Sequence, residues 1–169
     1  MKLDITRLLR APEGAQAFDL VQEWENIDFS GEDVRFPEPV RFVGRATWLD
    51  DSGLVRVAGT FSATVRRDCH RCLEETDESM EMELDELFAR EVDQDEERFL
   101  YKGEVIDLDE MLQQNLLLRL PMRVVCSPEC KGLCPRCGAP LNQGPCNCPP
   151  EEKVLHPGLQ QWLQENKEV

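Results

Sequence analysis

Eight cysteines in closely spaced pairs constrain this chain more than any other feature: Cys69-x-x-Cys72, then Cys126, Cys130, Cys134, Cys137, Cys146 and Cys148. Short Cys-x2-Cys and Cys-x-Cys steps are metal-ligand spacings, because two thiolates on one tight turn can reach a single tetrahedral ion. Eight thiolates make two sets of four. The economical expectation is two closed structural sites, each holding Zn2+ and neither keeping an open coordination position. That predicts a scaffold or assembly role rather than metal catalysis.

The segment Cys134-Pro135-Arg136-Cys137-Gly138, followed by Cys146-Asn147-Cys148, offers two local pairs separated by eight residues and can close by itself. Gly138 permits the positive φ that such knuckles often require. The remaining Cys69, Cys72, Cys126 and Cys130 would then staple elements distant in sequence. A different division leaves Cys126 or Cys130 outside any site as a free thiol. Iron also accepts four sulfurs; the knuckle spacings and the lack of an electron-transfer context favour zinc. Residues 126–150 carry too few large apolar groups to bury a core. Metal removal is therefore expected to unfold them at least.

At 169 residues and 41% hydrophobic content, the chain can build one domain with a core and a small appendage. No stretch approaches the roughly 20 apolar residues of a membrane helix. The N-terminus, MKLDITRLLRAPEG, lacks the apolar run of a signal peptide. The expectation is a cytoplasmic protein with no membrane partner and no small-molecule substrate. In a reducing compartment, cysteines hold metal more readily than they form disulfides.

Net charge is −15, and it is uneven. From Glu74 to Glu110, seventeen acids face three bases, Arg90, Arg98 and Lys102, for a net of −14. Such a field repels a bare phosphate backbone and accepts a basic protein more easily. The plain reading of the same charge is a solvated surface that keeps the protein soluble. Arg66, Arg67, Arg71, Lys131 and Arg136, beside the knuckles, are the only candidates for direct phosphate contact.

Strand-like pieces at Lys2–Leu9 and Phe18–Glu25 flank a Pro-Glu-Gly turn. Next, Val40, Phe42, Ala46 and Trp48 alternate with Arg41, Arg45 and Thr47. After Asp50-Asp51-Ser52-Gly53, Val55, Val57, Phe61, Ala63 and Val65 alternate with polar or small residues. That pattern predicts a β-hairpin with one face in a core. A third strand follows at Met80, Met82 and Leu84, so Cys69–Cys72 lies on the turn between two strands. Glu91–Glu97 reads as an acidic loop. A helix is expected from Asp107, capped by Asp107 with Glu110 completing a capping box and Ile106 and Met111 as a staple. Its stripe is Leu108, Met111, Leu112, Asn115 and Leu116, and Pro121 stops it. The last residues predict a short helix, with Pro157 near its start and Leu159, Trp162 and Leu163 on one side.

Catalytic rivals are weak. A redox pair at Cys69–Cys72 would open a helix, whereas strand follows strand here. His70 and His156 stand in no His-x-Glu or His-Glu-x-x-His context and read as surface residues. There is no glycine-rich phosphate loop and no Gly-x-Ser-x-Gly elbow. An enzyme is not expected.

Cys69-His70-Arg71-Cys72-Leu73-Glu74, the helix running into Leu120-Pro121-Met122, and Cys126 … Cys130-Lys131-Gly132-Leu133-Cys134-Pro135-Arg136-Cys137-Gly138 … Cys146-Asn147-Cys148 resemble the cysteine-rich form of the YceD family. The resemblance implies a bacterial cytoplasmic protein supporting synthesis, processing or stability of large-subunit (23S) ribosomal RNA, without enzymatic activity. Its partner would be a basic ribosomal protein or a pre-ribosomal particle, with RNA affected indirectly. A zinc-stabilised adaptor for an unrelated basic protein is the alternative. The expected architecture is α+β: an antiparallel sheet domain with one main helix and a knuckle at 69–72 over residues 1–125, a zinc-binding extension at 126–150, and a helical tail at 151–169.

Overall fold

A computed structural model describes residues 1–10, 14–49, 53–91, 98–149, 158 and 162. The chain divides into two compact units, Met1–Cys130 and Lys131–Val169. In the first, the elements are β1 (Lys2–Asp4), α1 (Thr6–Arg10), β2 (Ala15–Gln22), β3 (Ile27–Phe29), β4 (Glu32–Val34), β5 (Val40–Trp48), β6 (Val55–Asp68), β7 (Glu75–Ala89), β8 (Phe99–Leu100), β9 (Val105–Asp107) and α2 (Asp109–Arg119). This is the α+β architecture read from the sequence, dominated by sheet and carrying one main helix.

The central sheet has the order β2-β5-β6-β7-β8. Its first three pairings are antiparallel, and a two-residue parallel pairing adds β8 to β7. The alternation in β5 and β6 sorts as predicted. Val40, Phe42, Ala46, Val55, Val57, Phe61 and Val65 are buried. Met82, Leu84 and Phe88 continue that face along β7, and Phe18 from β2 lies 5.0 Å from Phe42, ring to ring. Trp48 is half-buried at the rim, with the Arg90 guanidinium 5.7 Å from its ring. The opposite face is solvated and laced by cross-strand pairs: Arg41 with Asp19, Arg56 with Asp85 and Arg66 with Asp77. Gly44 and Gly59 are register partners in β5 and β6. A Cβ on either would lie 2.3 Å from the facing strand's carbonyl oxygen, so no side chain fits there.

Three expectations need correction. Lys2–Leu9 is not one strand: Asp4 Oδ1 accepts from both the Thr6 amide (2.8 Å) and its hydroxyl (2.6 Å), turning the chain into α1. Leu8 then drops into the core. The second piece spans Ala15–Gln22, not Phe18–Glu25. The main helix begins at Asp109, because Asp107 is held in β9 opposite Lys2 of β1. Its carboxylate still accepts the Asp109 amide at 3.0 Å, but Glu110 accepts from Gln114 instead of closing a capping box. The predicted stripe holds: Leu108, Met111, Leu112 and Leu116 are fully buried with Ile106, and Asn115 donates to Glu86 and to the Met111 carbonyl. Leu120 turns to ψ 129° before Pro121 and ends the helix.

In the second unit, residues 131–149 bury no large apolar side chain; Gly132 and Cys134 are the buried positions, and Leu133 and Leu141 are half-covered. A bridge between Leu133 and Pro140 frames a short turn. The polar hairpin turn at Asp50–Ser52, most of the Glu91–Glu97 loop and most of the C-terminal segment, including His156, lie outside the described residues. Gly158 and Trp162 are helical. Among the described residues, no helix is long and apolar enough to cross a membrane.

Candidate metal centres

No disulfide joins any of the eight cysteines, and they gather in two sets of four. One set is Cys69, Cys72, Cys126 and Cys130; the other is Cys134, Cys137, Cys146 and Cys148. Each lies wholly inside one unit. Neither Cys126 nor Cys130 is left over. Within each set the ligand atoms lie within 4.8 Å of one another. Four sulfurs bound at about 2.3 Å around one tetrahedral ion stand about 3.8 Å apart. The contacts bracket that value: Cys72–Cys126 3.6 Å and Cys69–Cys130 3.9 Å in the first set, Cys134–Cys146 3.4 Å and Cys134–Cys148 4.0 Å in the second. They are far beyond the roughly 2.0 Å of a disulfide. Both sets can hold a metal ion.

The two knuckles share one backbone design. After β6, the Cys69 amide donates to Glu74 O (2.8 Å) and the Leu73 amide to Cys69 O (2.9 Å). In the second unit, the Cys134 amide donates to Ala139 O (2.8 Å) and the Gly138 amide to Cys134 O (2.8 Å). The residue after the second cysteine has a left-handed φ in both, 62° at Leu73 and 71° at Gly138. Glycine supplies that conformation without a Cβ penalty. The first knuckle places an exposed leucine there instead.

The first set is completed by chain arriving from behind α2, and three basic residues clasp it. Arg67, only 2% exposed, donates from Nη1 to Pro121 O at 2.9 Å. The His70 amide donates to Val124 O (2.9 Å), while the Val124 amide donates to His70 Nδ1 (3.2 Å). With Nδ1 accepting, Nε2 carries the proton and faces Glu32 at 2.9 Å. Arg71 Nη1 donates to the carbonyls of Cys130 (3.0 Å) and Pro128 (3.3 Å). Sequence reading grouped Arg66, Arg67 and Arg71 as possible phosphate contacts. Arg66 is paired with Asp77, and the other two are engaged with backbone carbonyls. What the sequence reading missed is the clasp; its signal is a His-Arg dipeptide between the two cysteines of the first knuckle. The Lys131 amide, in the second unit, donates to Asn142 Oδ1 at 2.7 Å.

The electrostatics favour partial ionisation in each set. Burial pushes the Cys69 thiol up, but the amides of Cys126, Arg71 and Cys72 outweigh it and bring the group to about 6. The amides of Cys137 and Arg136 draw Cys134 down to about 6. Their neighbours go the other way. At Cys72 the Glu74 amide pulls down, yet burial and the three adjacent sulfurs raise the thiol. Cys72 lowers Cys126, but Cys130 and burial raise it on balance. The Cys137 sulfur, then burial, push Cys148 up to about 12. One thiolate forms easily, and further charge in so small a space needs a cation to offset it. Cys69, Cys72 and Cys130 are buried, whereas Cys137 is exposed and Cys146 and Cys148 are half-exposed.

A mycobacterial protein from Mycobacterium tuberculosis, uncharacterised, is 37% identical over 97 residues, covering 54% of this chain and 47% of its own. The chain thus spans about half the length of the mycobacterial relatives it matches. Uncharacterised YlbN of Bacillus subtilis is 29% identical over 142 residues, 82% of this chain and 81% of that one. The Arabidopsis thaliana chloroplastic "large ribosomal RNA subunit accumulation protein YCED homolog 1" is 38% identical over 48 residues, 28% of this chain and 15% of that protein. No solved structure matches. The family described as "Large ribosomal RNA subunit accumulation protein YceD" matches residues 57–162, a span that holds both thiol sets and α2. The chain belongs to the YceD family.

Proposed function

We propose that this chain is a non-enzymatic factor that supports accumulation of large-subunit ribosomal RNA, acting through synthesis, processing or stability of the 23S species. Each thiol set holds one Zn2+: Cys69, Cys72, Cys126 and Cys130 the first, Cys134, Cys137, Cys146 and Cys148 the second. Four-sulfur coordination leaves zinc no open position, so the ion supplies rigidity and no Lewis-acid step. The chain works by holding a basic ribosomal protein or a pre-ribosomal particle in the cytoplasm, and RNA is affected indirectly. Reduced thiols suit that compartment.

The observation that carries this reading is the first thiol set, closed by four sulfurs inside the family-matched span, with its flanking Arg66, Arg67 and Arg71 turned to the protein's own groups. Those three arginines are thus engaged within the protein, while β7 presents Glu75, Asp77, Glu81, Glu83 and Asp85 to solvent, of which Glu75, Asp77 and Asp85 are paired with Arg35, Arg66 and Arg56. Depletion of the protein followed by ribosomal RNA profiling tests it. The ratio of large- to small-subunit RNA should fall, and affinity capture in the same strain should retain ribosomal proteins. An unchanged ratio would remove the reading. Elemental analysis of purified protein should return two zinc ions per chain; iron-sulfur absorbance in their place would remove the zinc assignment.

A further inference from the structure

Strand β7 is open along most of one edge. It pairs with β6 from Glu75 to Phe88, but β8 covers only Phe88 and Ala89 on the other side. Which backbone groups face that open side follows from the knuckle. The Cys69 amide bonds Glu74 O, so 69 and 74 form a hydrogen-bonded pair. Bonded and non-bonded pairs alternate along an antiparallel ladder. Glu75, Asp77, Ser79, Glu81 and Glu83 are therefore non-bonded toward β6 and point their amides and carbonyls outward. Two contacts agree with this parity. Arg119 Nη2 donates to Glu83 O at 3.2 Å, and the Tyr101 amide to Ala89 O at 2.9 Å. Among the described residues, no hydrogen bond reaches the outward groups from Glu75 to Glu81.

An unpaired edge of this length is normally blunted by charged side chains, lysine above all, or by proline, a bulge or a short strand. This one has no lysine or proline, and its outward positions carry acidic side chains on the solvated face: Glu75, Asp77 and Glu81 are exposed, as is Ser79; Glu75 is paired with Arg35 and Asp77 with Arg66, and among the described residues Glu81 has no ion pair. Acids decide what can pair there. A second copy would set β7 against β7 and like charges opposite one another. A nucleic acid brings phosphates to a segment whose net charge is −14. A cationic extended chain meets no such penalty, and Arg119 already places a guanidinium on the same edge.

We propose that the free edge of β7 from Glu75 to Glu81 is a docking strand that takes an extended, lysine- or arginine-bearing segment of a protein by β-augmentation. Alternate residues of that segment stand beside Glu75, Asp77 and Glu81; those between them lie over half-buried Thr76, Glu78 and Met80. Backbone pairing gives affinity, and Glu81, the acid of the three without an ion pair among the described residues, leads in selecting the partner. The inference rests on the basic-partner reading above and gives it a binding mode.

The test uses the full chain with its metal bound and, as probe, a synthetic peptide of about nine residues alternating lysine and threonine, a length that spans the open edge. Amide hydrogen exchange should slow at Asp77, Ser79 and Glu81 when the peptide is added. Ser79→Pro removes an N–H that faces away from β6, so the fold should persist while binding weakens by about tenfold or more. Glu81→Lys leaves the backbone intact and should weaken binding in a salt-dependent way. Equal binding by both variants, or equal competition from a peptide alternating glutamate and threonine, overturns the proposal. So does protection of these amides without peptide, whether constant (the chain's own residues cover the edge) or rising with protein concentration (a second copy does). Unchanged ribosomal RNA on depletion would sink the ribosomal reading while leaving a positive peptide result standing, so the two failures are distinguishable.

Discussion

Gly138→Ala isolates the backbone cost of a knuckle from everything else. Gly138 sits at φ 71°, and a Cβ built there has nothing within 4 Å, so the substitution creates no clash. What remains is the left-handed penalty of an L-residue, roughly 1–2 kcal/mol. Alanine also stiffens the unfolded chain and returns about 0.4–1 kcal/mol. The net loss is about 1 kcal/mol. Residues 131–149 have no large buried apolar side chain, so this knuckle conformation is coupled mainly to metal binding. The loss should appear as about fivefold weaker zinc affinity at the second set, since 1.4 kcal/mol is tenfold. Leu73→Gly in the first knuckle, at φ 62°, gives a different sum. Relief of strain is offset by greater unfolded-state freedom and by loss of the covered third of a side chain that is 64% exposed, about 0.5–1 kcal/mol. Affinity there should change by less than about threefold. Competition with a chromophoric chelator measures both. Unaltered affinity in Gly138→Ala, or a loss beyond about a hundredfold, would refute the argument that φ alone is at stake.

Three further outcomes follow from the same structure. Chelation of the metal should abolish protease resistance across residues 126–149, where ordering has no apolar core to fall back on; persistence of protection there would count against structural metal. Phe61→Ala should cost about 3–5 kcal/mol in urea unfolding, because Phe61 is fully buried between Trp24 and Phe42; a loss below about 1 kcal/mol would mean the site collapses freely. Asp19, Asp77 and Asp85 are held below the ordinary carboxylate range, first by hydrogen bonds from Arg41, Arg66 and Arg56 and then by the same guanidinium charges. Depressed folded values mean that these pairs stabilise above the unfolded pKa of about 3.9 and that this is lost as pH falls through the folded values. Carboxyl-carbon NMR titration should therefore give midpoints below about 3.9 for all three, and a midpoint above it would contradict the pairing.

The two strands read most clearly from sequence, β5 and β6, have strict period-two burial, and Val40, Phe42, Val55, Val57 and Phe61 reveal it without knowledge of any partner. The division of cysteines was legible too, since Cys134 to Cys148 can close locally and leaves one complementary set. The N-terminus was not legible. Whether Thr6 continues a strand depends on the Asp4 carboxylate turning back on it, and on β1 finding β9 about a hundred residues later. The helix start was displaced for the same reason: Asp107 has the chemistry of a cap, but pairing with Lys2 holds it in a strand. The clasp of Arg67, His70 and Arg71 was hidden because its acceptors are carbonyls of Pro121, Val124, Pro128 and Cys130, and carbonyls leave no mark in a residue code.

The two thiol sets bear differently on the sheet. Cys69 and Cys72 form the turn that joins β6 to β7, so the first set fixes where the acidic edge begins at Glu75. The same set draws in Cys126 and Cys130, and with them the carbonyls that accept from the buried Arg67 and from the exposed Arg71. Releasing that segment takes Pro121 O from the buried Arg67 guanidinium, whose Nε and Nη2 make no hydrogen bond and whose ion pair with Glu78 at 3.7 Å is what remains. Losing the hydrogen bond of a buried charged group costs about 1.5–3 kcal/mol. Cys69→Ser should therefore lower the thermal midpoint of the sheet and loosen amides from Asp68 to Asp77. Cys134→Ser removes a ligand from a set that lies wholly in the other unit. It should cost one bound zinc and leave the exchange rates of β6 and β7 unchanged. Equal loosening of β7 by the two substitutions would show that the sheet does not depend on the first set in particular, and the structural argument for that set's role would fail.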